Sequence, residues 1–186
     1  MITTVFDAAF PPSRIPPGCK AVAGYVGRLN FTPHVWTLPE WQRFSSIPQL
    51  PYWVPDLAVA PNLEAAAAVH AVLELGWAPH IADERAVIFD FETASGPADR
   101  GWWQECAAAV SAAGFCGVMY GSLSTVLENA AVDVVVAAWD NSAQLLPGQT
   151  IHGHQYKAGV AFDGTQIDYS VMDEWLLARA GVGPRH

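Results

Sequence analysis

Positive charge is scarce in this chain: its 186 residues carry 9 Lys and Arg against 18 Asp and Glu, for a formal net charge of -9. Binding to a phosphate backbone is carried by Lys and Arg, so this balance excludes a nucleic-acid partner. Cysteine is scarce as well. Cys19, Cys106 and Cys116 are odd in number and lack CxxC spacing, which excludes a disulfide framework and a zinc knuckle and leaves small core residues. No apolar run reaches the roughly 18 residues of a membrane-spanning helix. The longest apolar helical stretch, Ala65 to Leu75, is broken by His70 and Glu74, so no membrane insertion is expected. Nor does a basic segment followed by an apolar one precede the first strand pattern, Thr4–Asp7, so a soluble chain without a conventional secretory signal is expected. Gly24 and Gly27 lack a GxGxxG context, and Ser122 lies outside a GxSxG elbow, which sets aside a dinucleotide site and a serine-hydrolase nucleophile.

What the chain does have is apolar bulk, at 52% hydrophobic residues, in a length suited to one domain over residues 1–186. Strand patterns fall at Thr4–Asp7, Ala21–Gly27, Leu50–Pro55, Ala86–Thr93, Gly117–Ser122, Val132–Asp140, His152–Lys157 and Ile167–Val171. Helical patterns fall between them at Leu38–Phe44, Asn62–Trp77, Arg100–Ala113 and Ser124–Ala130, with another at Met172–Ala180. Asp99 is available to cap the third helix and Gly114 to stop it. Pro11–Pro17 marks a rigid loop after the first strand. The alternation predicts an α/β fold with a largely parallel sheet, and eight strands suit a closed barrel. A complete eightfold β/α barrel takes about 250 residues, so the expectation is a compressed TIM-like barrel of roughly five β/α units followed by three plain strands, (β/α)5(β)3.

The strongest chemical signal is Ala86-Val87-Ile88-Phe89-Asp90-Phe91-Glu92-Thr93, an apolar strand ending in two acids. Residues two apart on a strand share a face, so Asp90 and Glu92 point one way and Phe89 and Phe91 the other. Mutual repulsion separates the pKa values of paired carboxyls, which leaves one protonated as a general acid while the other stays ionised. The plainer alternative is a pair of capping or salt-bridging acids in a loop. Further acids fall at strand ends, where β/α barrels place their chemistry: Asp7, Asp56 and Asp140, with Asp168 in the last strand. Trp53, Tyr120, Trp139 and Tyr156 accompany them and are expected to meet ligand, as flat rings suit a pyranose face. Trp77, Trp102, Trp103 and Trp175 sit in helical patterns and read as core or groove fillers. His152 and His154 form an HxH that could chelate a metal with Asp168, but no further ligand motif supports it. Hydrogen bonding is the role expected of them.

Together these features resemble the family 25 glycoside hydrolases, the lysozyme-type muramidases of bacteria and phages, and related glycoside-hydrolase-like domains. The resemblance rests on Asp7 closing the first strand, Asp90-Phe91-Glu92 closing the fourth, Tyr120-Gly121-Ser122 after the fifth and Ala137-Ala138-Trp139 on the sixth. It continues through Gln155-Tyr156 and the late Asp168. The chain departs from the family where an opening DxSxxQ reads Asp7-Ala8-Ala9-Phe10-Pro11-Pro12, and where His154 replaces the usual tryptophan. The resemblance implies cleavage of cell-wall peptidoglycan with Glu92 as general acid and Asp90 supporting the substrate's N-acetyl group. It further implies substrate contacts from Asp7, Asp168, Tyr120, Trp139, Asp56, Gln155 and Tyr156, and no metal or organic cofactor. The altered opening supports a different class of function: a catalytically silent glycan-binding or structural barrel, for example a virion or assembly component with protein partners. Phage lysin, virion component and cytoplasmic bacterial protein are all compatible locations.

Overall fold

Strands whose successive residues are buried on alternate faces roll this chain into a barrel with two apolar shells. The computed structural model describes residues 1–27, 32–79, 84–92, 100–129, 131, 133–148 and 150–181. Its strands are β1 (Ile2–Asp7), β2 (Ala21–Gly27), β3 (Gln49–Trp53), β4 (Arg85–Asp90), β5 (Phe115–Ser122), β6 (Val134–Ala137), β7 (Ile151–Phe162) and β8 (Thr165–Asp173). They close in sequence order into one eight-stranded barrel. β1 through β7 run parallel, whereas β8 is antiparallel to both β7 and β1. Helices α1 (Leu38–Gln42), α2 (Pro61–Glu74), α3 (Arg100–Ala112) and α4 (Leu123–Glu128) follow β2, β3, β4 and β5, and α5 (Glu174–Ala178) follows β8. The first crossover, residues 8–20, contains no helix and is the proline-rich loop.

Inward positions form a shell that includes Val5, Ala23, Leu50, Tyr52, Ile88, Val118 and Val135. Their neighbours Phe6, Val22, Trp53, Val87, Phe89 and Val136 face outward and pack with Trp36, Trp41, Trp77 and Trp103. A closed sheet alternates its residues in this way. Two glycines on β2 make room for the outer shell. A Cβ on Gly24 would lie 2.7 Å from the Trp36 ring, and one on Gly27 would lie 2.0 Å from the Trp53 ring.

Several elements differ from the sequence expectation, each for a local reason. β7 and β8 are much longer than predicted because Asp163 and Gly164, with φ of 51° and 81°, close them into a hairpin. Tight hairpin turns need positive φ at both central residues, which suits Asp-Gly. The hairpin is tied to the first loop: Asp163 Oδ2 accepts from Ser13 N (2.7 Å) and Ser13 Oγ (2.5 Å), and Thr165 Oγ1 donates to the Phe10 carbonyl (2.9 Å). β6 stops at Ala137 because Trp139 and Asn141 turn the chain with φ of 46° and 60°. β4 stops at Asp90 and not at Thr93. α5 starts at Glu174 because Asp173 Oδ1 accepts from Leu176 N (3.0 Å), a side-chain cap. Thr93, Asp99, Ala130 and Val132, at the edges of expected elements, lie outside the described residues. Among the described residues, no helix is long and apolar enough to cross a membrane.

Candidate active site

Strand parity aims polar side chains into one mouth of the barrel. Asp7 lies two residues beyond the inward Val5, Tyr25 beyond Ala23, Asp90 beyond Ile88 and Tyr120 beyond Val118. Asp168 joins them from the opposite chain direction, because antiparallel β8 places it directly across from Asp7. Gln155 on β7 completes the ring, buried at 2% exposure. Glu92 lies two residues past the end of β4 and is exposed at the rim.

Hydrogen bonds organise this mouth into one network. Asp90 accepts from Tyr25 Oη at Oδ2 and from Glu92 N at Oδ1, both at 2.9 Å, so the strand-end acid fixes the backbone of its neighbour. The Tyr120 hydroxyl lies 3.0 Å from Glu92 Oε2 and 2.8 Å from Gln155 Oε1. Trp139 Nε1 donates to the same Gln155 oxygen at 2.6 Å. The Gln155 amide nitrogen donates more weakly to Asp7 Oδ2 (3.3 Å) and Asp168 Oδ2 (3.4 Å), while Gly159 N donates to Asp168 Oδ1 at 2.6 Å.

Crowding in a partly dry mouth disfavours ionisation of Asp7, Asp168 and Glu92. Burial pushes the Asp7 carboxyl well up, Asp168 adds to this, Gln155 opposes it, and Asp90 and Glu92 raise it further. Burial also raises Asp168, against the Gly159 amide. Asp7 and Asp168 therefore titrate as a pair. Glu92 is raised first by desolvation, then by Asp90 and Asp168, with the Tyr120 hydroxyl pulling the other way. Burial likewise raises the phenols of Tyr25 and Tyr120, and the nearby carboxylates reinforce it, so both stay protonated donors. The result is an exposed carboxyl biased toward its acid form, beside a buried carboxyl held by two donors. That arrangement can deliver a proton to a group bound at the rim.

Not every expected site residue meets this network. Trp53 faces the outer shell, where its Nε1 donates to Glu64 Oε2 on α2 at 3.0 Å; it is 5% exposed and so is a core residue and not a ligand platform. Tyr156 is next to Gln155 on β7 and points to the other side of the sheet, toward Tyr169, with ring centroids 6.5 Å apart. Asp56 sits on the loop before α2, where its Oδ1 accepts from Ala58 N (3.0 Å). Asp140 lies past the end of β6, where its Oδ1 accepts from Ser142 N (2.8 Å) and approaches His154 Nε2 at 3.5 Å. The HxH does not act as a unit either. His152 lies between Asp133 (3.1 Å) and Asp173 (2.9 Å) under a stacked Trp175, whereas His154 Nδ1 meets the Gln144 carbonyl at 2.6 Å. Asp168 is instead engaged by Gly159 and Gln155. All three cysteines are buried, and burial pushes their thiols up to about 11, 12 and 11 at Cys19, Cys106 and Cys116.

Sequence reasoning missed Tyr25, which holds Asp90. Its signal was the inward parity of Ala21, Ala23 and Tyr25 on β2.

No family model and no curated protein matches this chain. Solved structures do match its fold. An uncharacterized B. stearothermophilus protein superimposes with a TM-score of 0.72 at 13% identity, over 96% of this chain and all of that one. The catalytic domain of the endolysin ply40 from bacteriophage P40 of Listeria monocytogenes superimposes with a TM-score of 0.67 at 13% identity, over 96% of each chain. At these identities the likeness is one of fold: the chain shares its barrel with an endolysin catalytic domain.

Proposed function

We propose that residues 1–186 form one glycoside-hydrolase-like domain that cleaves bacterial cell-wall peptidoglycan in the manner of a family 25 muramidase. On this reading the barrel is a (β/α)5(β)3 form whose first helix is replaced by the proline-rich loop. The observation that carries the proposal is Glu92: an exposed carboxyl raised toward its acid form, beside Asp90, at the mouth of a barrel shared with an endolysin catalytic domain. Glu92 gives its proton to the glycosidic oxygen as the C–O bond breaks and that bond's electron pair passes to the oxygen. The substrate's own N-acetyl oxygen attacks the anomeric carbon, supported by Asp90. Water, deprotonated by Glu92, then opens the resulting ring, a substrate-assisted route outside the two-carboxylate scheme. Trp139, 54% exposed beside this mouth, stacks on a sugar ring. Asp7 and Asp168 line the other side. This chemistry calls for no metal or organic cofactor.

One observation favours a second reading, a barrel that binds glycan without cutting it. The segment after Asp7 serves the core: Ala8 is buried, and the carbonyls of Ala8 and Ala9 accept from Trp36 Nε1 at 3.0 and 3.1 Å. Co-sedimentation with purified peptidoglycan, together with release of reducing ends, separates the two. The hydrolase reading expects wild type to bind and cut and Glu92→Gln to bind without cutting, because an amide cannot supply the proton. Binding without cleavage by the wild-type chain supports the silent barrel, and neither binding nor cleavage sinks both.

A further inference from the structure

The Tyr120 hydroxyl has one proton and two oxygen neighbours, Glu92 Oε2 at 3.0 Å and Gln155 Oε1 at 2.8 Å. It cannot donate to both along good lines. The amide orientation of Gln155 is not free, because Trp139 Nε1 is a donor only and lies 2.6 Å from Oε1. Flipping the amide would bring two donors together there and turn the carbonyl toward the carboxyls of Asp7 and Asp168. The Gln155 oxygen therefore always faces Tyr120 as an acceptor. Every partner is satisfied in one arrangement: Tyr120 donates to Gln155, and a protonated Glu92 donates to the Tyr120 oxygen.

We propose that Gln155 is a positioning residue for Glu92: by accepting the Tyr120 proton it turns the tyrosine oxygen into an acceptor that holds Glu92 in its acid form. When Glu92 releases its proton, the Tyr120 O–H rotates from Gln155 to the new carboxylate, and the Gln155 oxygen keeps only the Trp139 bond. The only covalent bond that breaks is the Glu92 O–H, whose proton passes to the acceptor bound at the rim or to water; the Tyr120 O–H only reorients. The ionised state thus loses one hydrogen bond to Gln155 for each one gained at Glu92. The other groups facing Glu92 are Asp90 on β4 and Asp168 on β8, with Asp7 on β1 also within electrostatic reach. Their negative charges act in the same direction as the relay. The role of this relay in catalysis rests on the reading of Glu92 as proton donor; the relay itself does not.

The test is a titration of the Glu92 side-chain carboxyl by 13C NMR in the full chain, without substrate. Gln155→Met removes the competing acceptor, commits the Tyr120 proton to Glu92, and moves the Glu92 midpoint to lower pH. Tyr120→Phe takes the hydroxyl away from both the acid form, from which it accepts, and the charged form, to which it donates, so it serves as the background in which Gln155→Met has no relay to act through. Gln155→Met also strips donors from Asp7 and Asp168, so the decisive arm is the double variant. The Gln155→Met shift must shrink in the Tyr120→Phe background; an undiminished shift assigns it to the aspartates and overturns the relay. A Gln155→Met midpoint at or above wild type overturns it as well. Should Gln155→Met not fold, Gln155→Asn withdraws the same oxygen, and the same downward shift is required of it. If these shifts appear but no glycan is cleaved, the relay stands and the hydrolase reading falls; cleavage without the shifts has the reverse meaning.

Discussion

Replacing Trp139 by glycine should stabilise the protein relative to replacing it by alanine, the reverse of the usual order. Trp139 adopts φ of 46° and is 54% exposed, so an amphipathic aromatic is held in a left-handed conformation with about half its surface in solvent. Left-handed backbone costs an L-residue roughly 1–2 kcal/mol. The hidden half of the ring is on the order of 100 Å². At ~25 cal/mol per Å² this contributes at most about 2.5 kcal/mol. The bond from Nε1 to Gln155 adds about 1 kcal/mol. Both variants lose those two contributions. Only Trp139→Gly also removes the strain, so it should exceed Trp139→Ala by ~1 kcal/mol, whereas at an ordinary position glycine is worse by a similar amount. For a chain of this size 1 kcal/mol corresponds to about 2–4 °C in melting temperature, within reach of calorimetry. Both variants should lose peptidoglycan binding equally, because strain of this kind is retained where a side chain serves the site. A Trp139→Gly protein melting below Trp139→Ala would refute the strain argument. Undiminished binding in either variant would remove Trp139 from the groove.

Two other perturbations test the electrostatics and the packing. Asp7 keeps its proton to higher pH in the folded chain than when unfolded, so the folded state binds more protons between the ordinary carboxylate value and the raised one. Stability must then fall as pH rises through that window and return on acidification. Asp7→Asn should raise the melting temperature at neutral pH and flatten this dependence, and a variant less stable than wild type at pH 7 would contradict it. Gly27→Ala would drive a methyl to 2.0 Å from a Trp53 ring that is anchored by Glu64, so overpacking should cost about 1–3 kcal/mol in denaturant unfolding. Wild-type stability there would mean that Trp53 is less firmly held than its buried bond implies.

The barrel was legible because continuous apolar runs mark short parallel strands buried on both faces, and because Asp7 and Asp90 end two of those runs at the rim. What was illegible lay where local backbone chemistry overrides apolar pattern. Gly159 interrupted the seventh strand pattern, so the Asp163-Gly164 turn that pairs Phe162 with Thr165 went unread. Trp53 and Tyr156 look like rim aromatics in one dimension. A single step of parity turns Trp53 into the outer shell and Tyr156 away from the acids. Gln155 stood out only as half of a dipeptide; its position as the bridge between Trp139, Tyr120 and the Asp7–Asp168 pair depends on contacts 16, 35, 148 and 13 residues apart, which no local pattern encodes.

The central claim is that Glu92 and Asp90 cut a glycan at the barrel mouth, and the chemistry of the new chain end tests it most directly. Purified peptidoglycan is incubated with the wild-type chain or with Glu92→Gln, the products are reduced, and the terminal sugar is identified by mass spectrometry. The account predicts muramic acid at the new reducing end with wild type. Removing general-acid help typically costs about 10²–10⁴ in rate, and Glu92→Gln should fall by that factor while keeping the wild-type melting temperature. Equal release by the two proteins, or wild-type products that carry only cleaved peptide bonds, would contradict it.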